Sequence, residues 1–359
     1  MVTGNFTNQT RPENSSAGPP VTPSSLAATS WFGVSMSASV GSSSMLIILL
    51  LTSLRHQKMR KGTGTLIIHL MLMQLTLCLI YFPIEDITTY LALRSIPVRI
   101  DCEALLILRL GTMYSENWAS LLLALNRFIA LELPHFYQRI LTRNALIAMI
   151  IFPWIVGLGS TLWVHFGTVG VDLIQLPLPY GYCASRVTKG VNGTILVAIG
   201  AYGPLLFMGL IYSNLCYRLM VTRSQGTHRS SVGPIIHNKE SSRLVGARAR
   251  QKALAKMLIV SFLWYCVFFL PGPLVVTTFP ALTKRFVICY PWLRTMNLFG
   301  YAASPFIFLL LNAEYQATVG RLFGFRSSTD FSPSIAPDTF RPNTPRARLS
   351  MRPAISIAA

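Results

Sequence analysis

Residues 102–133 read CEALLILRLGTMYSENWASLLLALNRFIALEL, and most side chains in this stretch are apolar. A helix that crosses the hydrocarbon core of a membrane needs about 20 mainly apolar residues, so the stretch is long enough. Two charged residues, Arg109 and Glu116, lie well inside it. Charged side chains are costly in lipid and usually face protein or water. The stretch therefore predicts a membrane-spanning helix with one face turned toward other helices.

Six more apolar runs accompany this stretch, two before it and four after it. The seven predicted spans cover residues 31–54, 65–91, 102–133, 146–167, 191–220, 254–276 and 286–312. Each is predicted to be a helix because backbone polar groups in lipid must find their partners within the segment. The chain is 52% hydrophobic and 12% charged, whereas soluble domains carry about 25% charged residues. The predicted fold class is an all-α integral membrane protein, a seven-transmembrane helix bundle.

The basic residues predict how this bundle is oriented. The chain has 31 Lys and Arg against 12 Asp and Glu, which gives a net charge of +19. If the N-terminus is outside, most of the basic residues fall in the inner loops and the C-terminal tail. Cytoplasmic loops of membrane proteins carry such an excess. The pattern predicts a multi-pass protein with its N-terminus outside, and it explains the net charge without nucleic acid as a partner.

Two polar tails flank the predicted bundle. Residues 1–30 contain three Asn-x-Ser/Thr sequences and are predicted to form an extracellular glycosylated tail. A fourth such sequence opens the fifth span. The four acceptor residues are Asn5, Asn8, Asn14 and Asn192. Residues 326–359 are rich in Ser, Pro and Arg and are predicted to be a disordered cytoplasmic tail, which leaves residues 31–325 for the helical domain.

The spacing of several landmark residues resembles that of one receptor family. Arg127, in the sequence Asn126-Arg127-Phe128, follows Cys102 by 25 residues. Further landmarks follow in order: Trp154, Cys183, Pro204, Tyr212, Pro271 and Pro305. This ordered set resembles the rhodopsin-like G-protein-coupled receptors over residues 31–325. Residues 312–323 are similar to the short amphipathic eighth helix of that family.

The resemblance implies a function as well as a fold. It implies a plasma-membrane receptor that binds an extracellular ligand, activates a heterotrimeric G protein and is not an enzyme. Arrestin is a further implied partner, through phosphorylation of the C-terminal tail. The residues agree with a role other than catalysis, because the sequence contains neither a P-loop nor a His-Glu-x-x-His or Gly-x-Ser-x-Gly motif.

The resemblance also assigns roles to individual landmarks. A disulfide bond between Cys102 and Cys183 would tie the second outer loop to the third helix. Arg127 would meet the G protein and Tyr212 on activation. The positions implied in coupling and switching are Asn126, Arg127, Phe128, Tyr212, Phe269, Pro271, Ser304, Pro305 and Phe308.

Four of those positions depart from the family pattern, one of them Ser304, which stands where relatives carry an Asn. Asn126 replaces the acidic neighbour that usually restrains Arg127, which predicts measurable basal activity. Phe269 replaces a Trp, and Phe308 replaces a Tyr whose hydroxyl would contact Tyr212. The loss of that hydroxyl leaves an alternative open, a non-signalling seven-helix protein that scavenges a ligand or modulates a partner receptor. The presence of Arg127 and Tyr212 favours signalling.

The same register predicts a ligand pocket. Arg109 stands where amine receptors carry an Asp, and Leu298 stands where opsins carry the Lys that attaches retinal, so neither ligand fits. With Arg294 as a second guanidinium, the pocket favours an anionic small molecule or an acidic peptide. The alternative is that Glu85 and Asp86 pair with these arginines internally. The candidate ligand-binding residues are Arg109, Arg294, Glu85, Met113, Phe269 and Asn297.

A cation site is a further candidate. Gln74 stands where relatives carry an Asp in a sodium pocket, and Glu116 stands where they carry a Ser that faces the same pocket. Carboxylate, amide and hydroxyl oxygens from these residues, Ser42 and Ser304 would suit Na⁺. The alternative is a protonated, neutral Glu116 that is hydrogen-bonded inside the bundle. No other cofactor is predicted.

Overall fold

A computed structural model describes residues 23–60, 62–133, 137, 142–166, 171–178, 181–187, 192–228, 259–260, 262–311 and 316. We number its long helices α1 to α7. The first four are α1 Ser25–Arg55, α2 Thr63–Leu93, α3 Cys102–Glu132 and α4 Arg143–His165. α5 covers residues 192–228, α6 is described from residue 262 and ends with Pro271–Thr278, and α7 is Cys289–Leu311. Short helices Gln57–Arg60 and Pro280–Arg285 precede α2 and α7.

α1 begins at Ser25, six residues before the predicted span. Ser24 caps the helix, since its hydroxyl oxygen accepts a hydrogen bond from the Ala27 amide at 3.2 Å. Such a cap satisfies one of the amide groups that a helix start leaves without a partner. Residues 25–30 are therefore helical, and α1 begins within the stretch assigned to the N-terminal tail. The predicted first span did not include these six residues because they are small or polar, apart from one leucine.

The described helices suit a membrane. On length and composition, four of them could cross one: Ser25–Arg55, Thr63–Leu93, Arg143–His165 and Ile195–Tyr217. Phe262–Val276 is a shorter apolar helix. In α3, Arg109 and Glu116 are only 7% and 1% exposed. Arg109 and Glu116 thus face the bundle interior, as predicted.

Proline residues in α2 and α5 each follow a turn of π-helix. The turn before Pro83 is Leu77–Tyr81, and the turn before Pro204 is Ala198–Tyr202. Proline has no backbone N–H, so it cannot donate to a carbonyl of the preceding turn. Carbonyl groups in both turns therefore need donors from outside their own helix.

Neighbouring helices supply those donors with side chains. Ser39 of α1 donates to the carbonyl of Cys78 in α2. The Trp118 indole of α3 donates to the carbonyl of Ile199 in α5 at 3.2 Å. Both carbonyls lie five residues before a proline. The two irregular turns are thus docked on adjacent helices.

A β-hairpin between α4 and α5 adds the strands β1 Val171–Gln175 and β2 Cys183–Val187, which pair antiparallel. The all-α prediction did not include this hairpin. A disulfide bond joins Cys183 to Cys102 at the start of α3, with the two Cα atoms 5.3 Å apart. We call this end of the bundle the disulfide end.

Close contact with α2 also fixes the hairpin loop. Gly181 has a φ of 60°, a conformation that favours glycine. A Cβ atom there would lie 1.9 Å from the Ala92 side chain at the end of α2. The Gln175 side chain donates to the Val98 carbonyl at 2.8 Å. The hairpin therefore lies over the ends of α2 and α3.

α3 and α4 approach each other through small residues. A Cβ atom on Gly111 would lie 2.6 Å from Leu158, and one on Gly157 would lie 2.2 Å from the Ser115 hydroxyl oxygen. Small residues permit such close backbone approach between membrane helices. This contact holds α3 in a position from which its polar side chains reach α2, α5 and α6.

Candidate functional site

Four charged side chains meet near the disulfide end, and we call them the buried charge cluster: Glu85 and Asp86 of α2, Arg109 of α3 and Arg294 of α7. Arg109 Nη1 lies 2.5 Å from Glu85 Oε2. Arg294 reaches both acids, with Nη1 3.3 Å from Glu85 Oε2 and Nη2 2.5 Å from Asp86 Oδ1. None of the four is more than 7% exposed. Their charges balance, which lowers the cost of burying them.

Hydrogen bonds extend the buried charge cluster to α1. Ser35 donates to Asp86. Thr295 donates to Ser35 at 3.3 Å and accepts from the indole of Trp31 at 2.9 Å. The guanidinium of Arg294 lies 5.9 Å from the centre of the fully buried Trp31 ring, within the range of a cation–π contact. Four helices, α1, α2, α3 and α7, are thus connected through polar contacts at this end.

Two tyrosines connect the hairpin to the cluster. Tyr182 precedes the disulfide cysteine of β2 and stacks on Tyr290 at the start of α7, with ring centres 4.3 Å apart. Tyr290 also interacts with Arg109. Sequence reasoning assigned neither tyrosine, because the stacking depends on where the hairpin folds over the bundle.

The cluster shows which pairing the two arginines adopt. Arg109 and Arg294 both face carboxylates, as in the internal alternative. Among the described residues, three buried atoms of the cluster have no hydrogen-bond partner: Arg109 Nε, Arg294 Nε and Glu85 Oε1. A further polar group can still bind at these atoms.

A central cavity of about 100 Å³ lies below the cluster, toward the end of α3 that carries Arg127. Its polar lining comes from α2, α3, α5, α6 and α7, and includes Gln74, Glu116, Ser120, Tyr212, Tyr265 and Ser304. Ser42, which was expected to contribute, instead donates to the Ser39 carbonyl of its own helix at 3.0 Å.

Glu116 is the most polar feature of the central cavity. Its Oε1 atom accepts from Gln74 Nε2 at 3.0 Å and from the Ser120 hydroxyl at 3.2 Å. Within the described part of the chain, Glu116 Oε2 and Gln74 Oε1 are buried and have no hydrogen-bond partner. A cation or a hydrogen-bond donor could satisfy both oxygens.

At the Arg127 end, Asn126 turns toward α2. Its amide nitrogen donates to Thr63 Oγ1 at 3.3 Å, and that hydroxyl is 3.0 Å from the hydroxyl of Tyr137. Asn126 is 2% exposed. Asn126 stands at the position of the restraining acid in relatives, and here its side chain makes a neutral hydrogen bond to α2.

Arg127 and Tyr212 lie at the inward-facing surfaces of α3 and α5. Arg127 and Phe128 are half-buried, and Tyr212 is buried. Tyr212 is close enough to Arg127 for an electrostatic interaction, and its ring packs 5.2 Å from that of Phe262 in α6. The structure therefore brings together the two residues expected to act jointly.

The chain is matched by the family model described as 7 transmembrane receptor (rhodopsin family) over residues 45–306. It belongs to the rhodopsin family of seven-transmembrane receptors. A crystal structure of squid rhodopsin is similar in fold, with a TM-score of 0.68 and 16% identity, and the match covers 86% of this chain and 88% of that chain. No curated protein sequence matches.

Family membership confirms the predicted fold class and the multi-pass membrane character of the receptor. The predicted disulfide bond between Cys102 and Cys183 is also present. Leu298 was placed by the sequence at the position of the opsin lysine, and its side chain is fully buried.

The remaining pocket and switch residues of the receptor lie deeper in the bundle. Met113 and Phe269 pack against the main apolar core, and Asn297 lies beside Gly272 of α6. Among the described contacts, none of these three joins the buried charge cluster by a hydrogen bond or ion pair. Pro271 starts the last part of α6, and Ser304 and Pro305 lie within α7.

Other predicted features of the receptor lie outside the described residues. These are Asn5, Asn8 and Asn14, the side chains of Asn192 and Phe308, the eighth helix apart from residue 316, and the tail from residue 326. Their roles remain predictions.

Proposed function

We propose that this receptor binds an extracellular ligand near the disulfide end and activates a heterotrimeric G protein at the Arg127 end. It would lie in the plasma membrane with its N-terminus outside. The observation that carries the proposal is the half-buried Arg127 within electrostatic range of Tyr212, on the fold of a receptor family. Family membership favours this role over a non-signalling scavenger or modulator.

Activation would be a population shift between two arrangements of the helices. A ligand changes that equilibrium only by its difference in affinity for the two arrangements. The contact between Asn126 and Thr63 is a neutral hydrogen bond, so Asn126 itself contributes no carboxylate to Arg127. Such bonds contribute only about 0.5–1.5 kcal/mol. This supports the proposal of measurable activity without ligand.

The ligand we propose is an anionic small molecule or an acidic peptide, and it would have to compete with Glu85 and Asp86. The support is that Arg109 Nε and Arg294 Nε have no hydrogen-bond partner among the described residues. Guanidinium groups bind carboxylates and phosphates through charge-assisted hydrogen bonds. A ligand that met these atoms would weaken the ion pairs that join α2, α3 and α7.

We also propose that the central cavity binds Na⁺ through Glu116 and Gln74. The support is the pair of buried oxygens, Glu116 Oε2 and Gln74 Oε1, that lack a partner within the described residues. Na⁺ is a hard cation that prefers oxygen ligands. Arrestin is proposed as a second partner, through phosphorylated residues of the tail.

The test is ligand-free activation of a panel of G proteins in cells, comparing the wild type with Arg127→Ala at equal surface levels. We expect a basal signal that the substitution removes. A basal signal that persists unchanged in Arg127→Ala would contradict the assigned role of Arg127. If no G protein responds to the wild type, acidic ligands are screened next, and a complete lack of response would favour the non-signalling alternative.

A further inference from the structure

The three atoms of the buried charge cluster that lack hydrogen-bond partners among the described residues differ in their chemistry. Arg109 Nε and Arg294 Nε are donors, whereas Glu85 Oε1 is an acceptor. Both carboxylate oxygens of Asp86 are already engaged, one by Arg294 and the other by Ser35. The unused bonding capacity of the cluster thus combines two cationic donors with one anionic acceptor.

These three atoms belong to side chains that are in direct contact. Arg109 Nη1 and Arg294 Nη1 lie 2.5 Å and 3.3 Å from the same oxygen, Glu85 Oε2. The unpartnered Oε1 is the second oxygen of that carboxyl group, and the unpartnered Nε atoms belong to those same two guanidinium groups. A small ligand that meets all three atoms must therefore carry an acceptor and a donor only a few bonds apart.

The charge of the cluster restricts the ligand further. Two arginines and two acids give the four side chains a net charge of zero, and none of them is more than 7% exposed. A ligand that carries only a carboxylate would add an uncompensated negative charge to this buried site, which is strongly unfavourable. A ligand that carries a carboxylate and an ammonium group keeps the site neutral and offers a partner to each of the three atoms.

We propose that the ligand of the buried charge cluster is a free α-amino acid. Its carboxylate accepts from Arg109 Nε and Arg294 Nε, and its ammonium group donates to Glu85 Oε1. In an α-amino acid both groups are bonded to one carbon atom, whereas each end of a peptide chain presents only one of them. The inference rests on the proposed function, because it keeps the acidic group of that ligand on the arginines; it selects a small molecule over a peptide and adds the ammonium group.

Two stacked tyrosines have to separate when this ligand enters. Tyr182 of the hairpin stacks on Tyr290, and Tyr290 also interacts with Arg109. Tyr290 is half-buried, whereas Arg109 is buried. A ligand that arrives from the disulfide end therefore meets Tyr290 before it meets Arg109.

The experiment compares classes of ligand on the purified wild-type receptor in lipid nanodiscs. The common L-α-amino acids and the corresponding des-amino carboxylic acids are screened by thermal unfolding, and apparent affinity is obtained from the rise of the melting temperature with ligand concentration. The best amino acid is also compared with its primary amide, which keeps the ammonium group and lacks the carboxylate. We expect the loss of either group to weaken binding about 10- to 100-fold, the range for hydrogen bonds to charged groups.

Substitutions test the assigned contacts. Arg109→Lys keeps a positive charge beside Glu85 but removes Nε, so it should weaken amino-acid binding about 10-fold. The matched control is Arg94→Lys, because Arg94 is exposed at the same end of the bundle and contacts Thr29 outside the cluster. Glu85→Gln removes one negative charge and should bind the des-amino acid at least as tightly as the amino acid. This preference is a ratio of affinities, so it does not depend on how stable the variant is.

The outcomes separate this inference from the proposed function. Equal affinity of the wild type for an amino acid and its des-amino acid would overturn the inference and leave an anionic ligand intact. No stabilisation by either class would reject both, whereas the G-protein assay with Arg127→Ala still tests activation by itself. Equal effects of Arg109→Lys and Arg94→Lys would place the amino acid outside the cluster and would also overturn the inference.

Discussion

Glu85 Oε2 lies 2.5 Å from Arg109 Nη1, and this contact joins α2 to α3 inside the bundle. The same oxygen also faces Arg294 at 3.3 Å, so one carboxylate serves two guanidiniums. Arg294 has a second acid in Asp86, whereas Arg109 has no other described carboxylate partner. The stability of α3 at the disulfide end therefore depends on Glu85.

Glu85→Gln should destabilise the receptor by about 3 kcal/mol or more, because it leaves the buried Arg109 charge without its carboxylate. The matched control is Glu103→Gln, which breaks a half-exposed pair with His165 at 2.5 Å. Exposed pairs contribute only about 0–1 kcal/mol. Thermal unfolding of the two variants in detergent checks this, and similar losses for both would contradict the assigned role of the cluster.

Gly157→Ala should disrupt the contact between α3 and α4, because the added methyl group would lie 2.2 Å from Ser115. Overpacking of this kind costs about 1–3 kcal/mol. Gly159→Ala is the control on the same helix, since a Cβ atom there has nothing within 4 Å. Surface expression and melting temperature are measured. The packing argument fails if Gly159→Ala is as harmful as Gly157→Ala.

Ser39→Ala should cost about 1–3 kcal/mol, because the Cys78 carbonyl before Pro83 would lose its donor while still buried. Ser37→Ala is the control, since Ser37 is exposed to the surroundings and donates to the Gly33 carbonyl of its own helix. Denaturation midpoints of both variants provide the comparison. An unchanged Ser39→Ala protein would show that the irregular turn of α2 does not need α1.

Cys102→Ser should lower stability by about 2–5 kcal/mol through the loss of the disulfide bond. The bond connects residues 81 apart and anchors the hairpin over α2 and α3. Cys289→Ser is the control, because Cys289 is a free cysteine. Only Cys102→Ser should show faster proteolysis in the hairpin and a lower melting temperature. Equal behaviour of the two variants would argue against a stabilising bridge.

Sodium should raise the melting temperature of the wild type relative to choline at equal ionic strength. A ligand at 100 times its dissociation constant stabilises by about 2.7 kcal/mol. Glu116→Gln should abolish this difference, whereas Ser42→Ala should keep it, because Ser42 donates within α1. If Glu116→Gln keeps the sodium response, Glu116 does not bind the ion and the hydrogen-bonded alternative is favoured.

Several properties followed from the sequence alone. The long helices, the inward placement of Arg109 and Glu116, and the pairing of Cys102 with Cys183 were all predicted, the last through the family resemblance. Apolar length is a property of one segment, and lipid leaves a helix as the only structure that satisfies the backbone of an isolated span. The number of residues between two landmarks in one helix can likewise be counted directly in the sequence.

The tertiary structure decided which polar atoms meet. Glu85 and Asp86 were candidates for Arg109 and Arg294, but only the rotation of α2, α3 and α7 about their axes selects internal pairing. Asn117 gave one sequence signal, a second polar residue beside Glu116 in an apolar span. Its hydrogen-bond partners, Gly200 of α5 and Tyr265 of α6, lie 83 and 148 residues away. Hydrophobic pattern sets which segments enter the membrane, whereas the packing of small residues and the carbonyls released by prolines set which side chains touch.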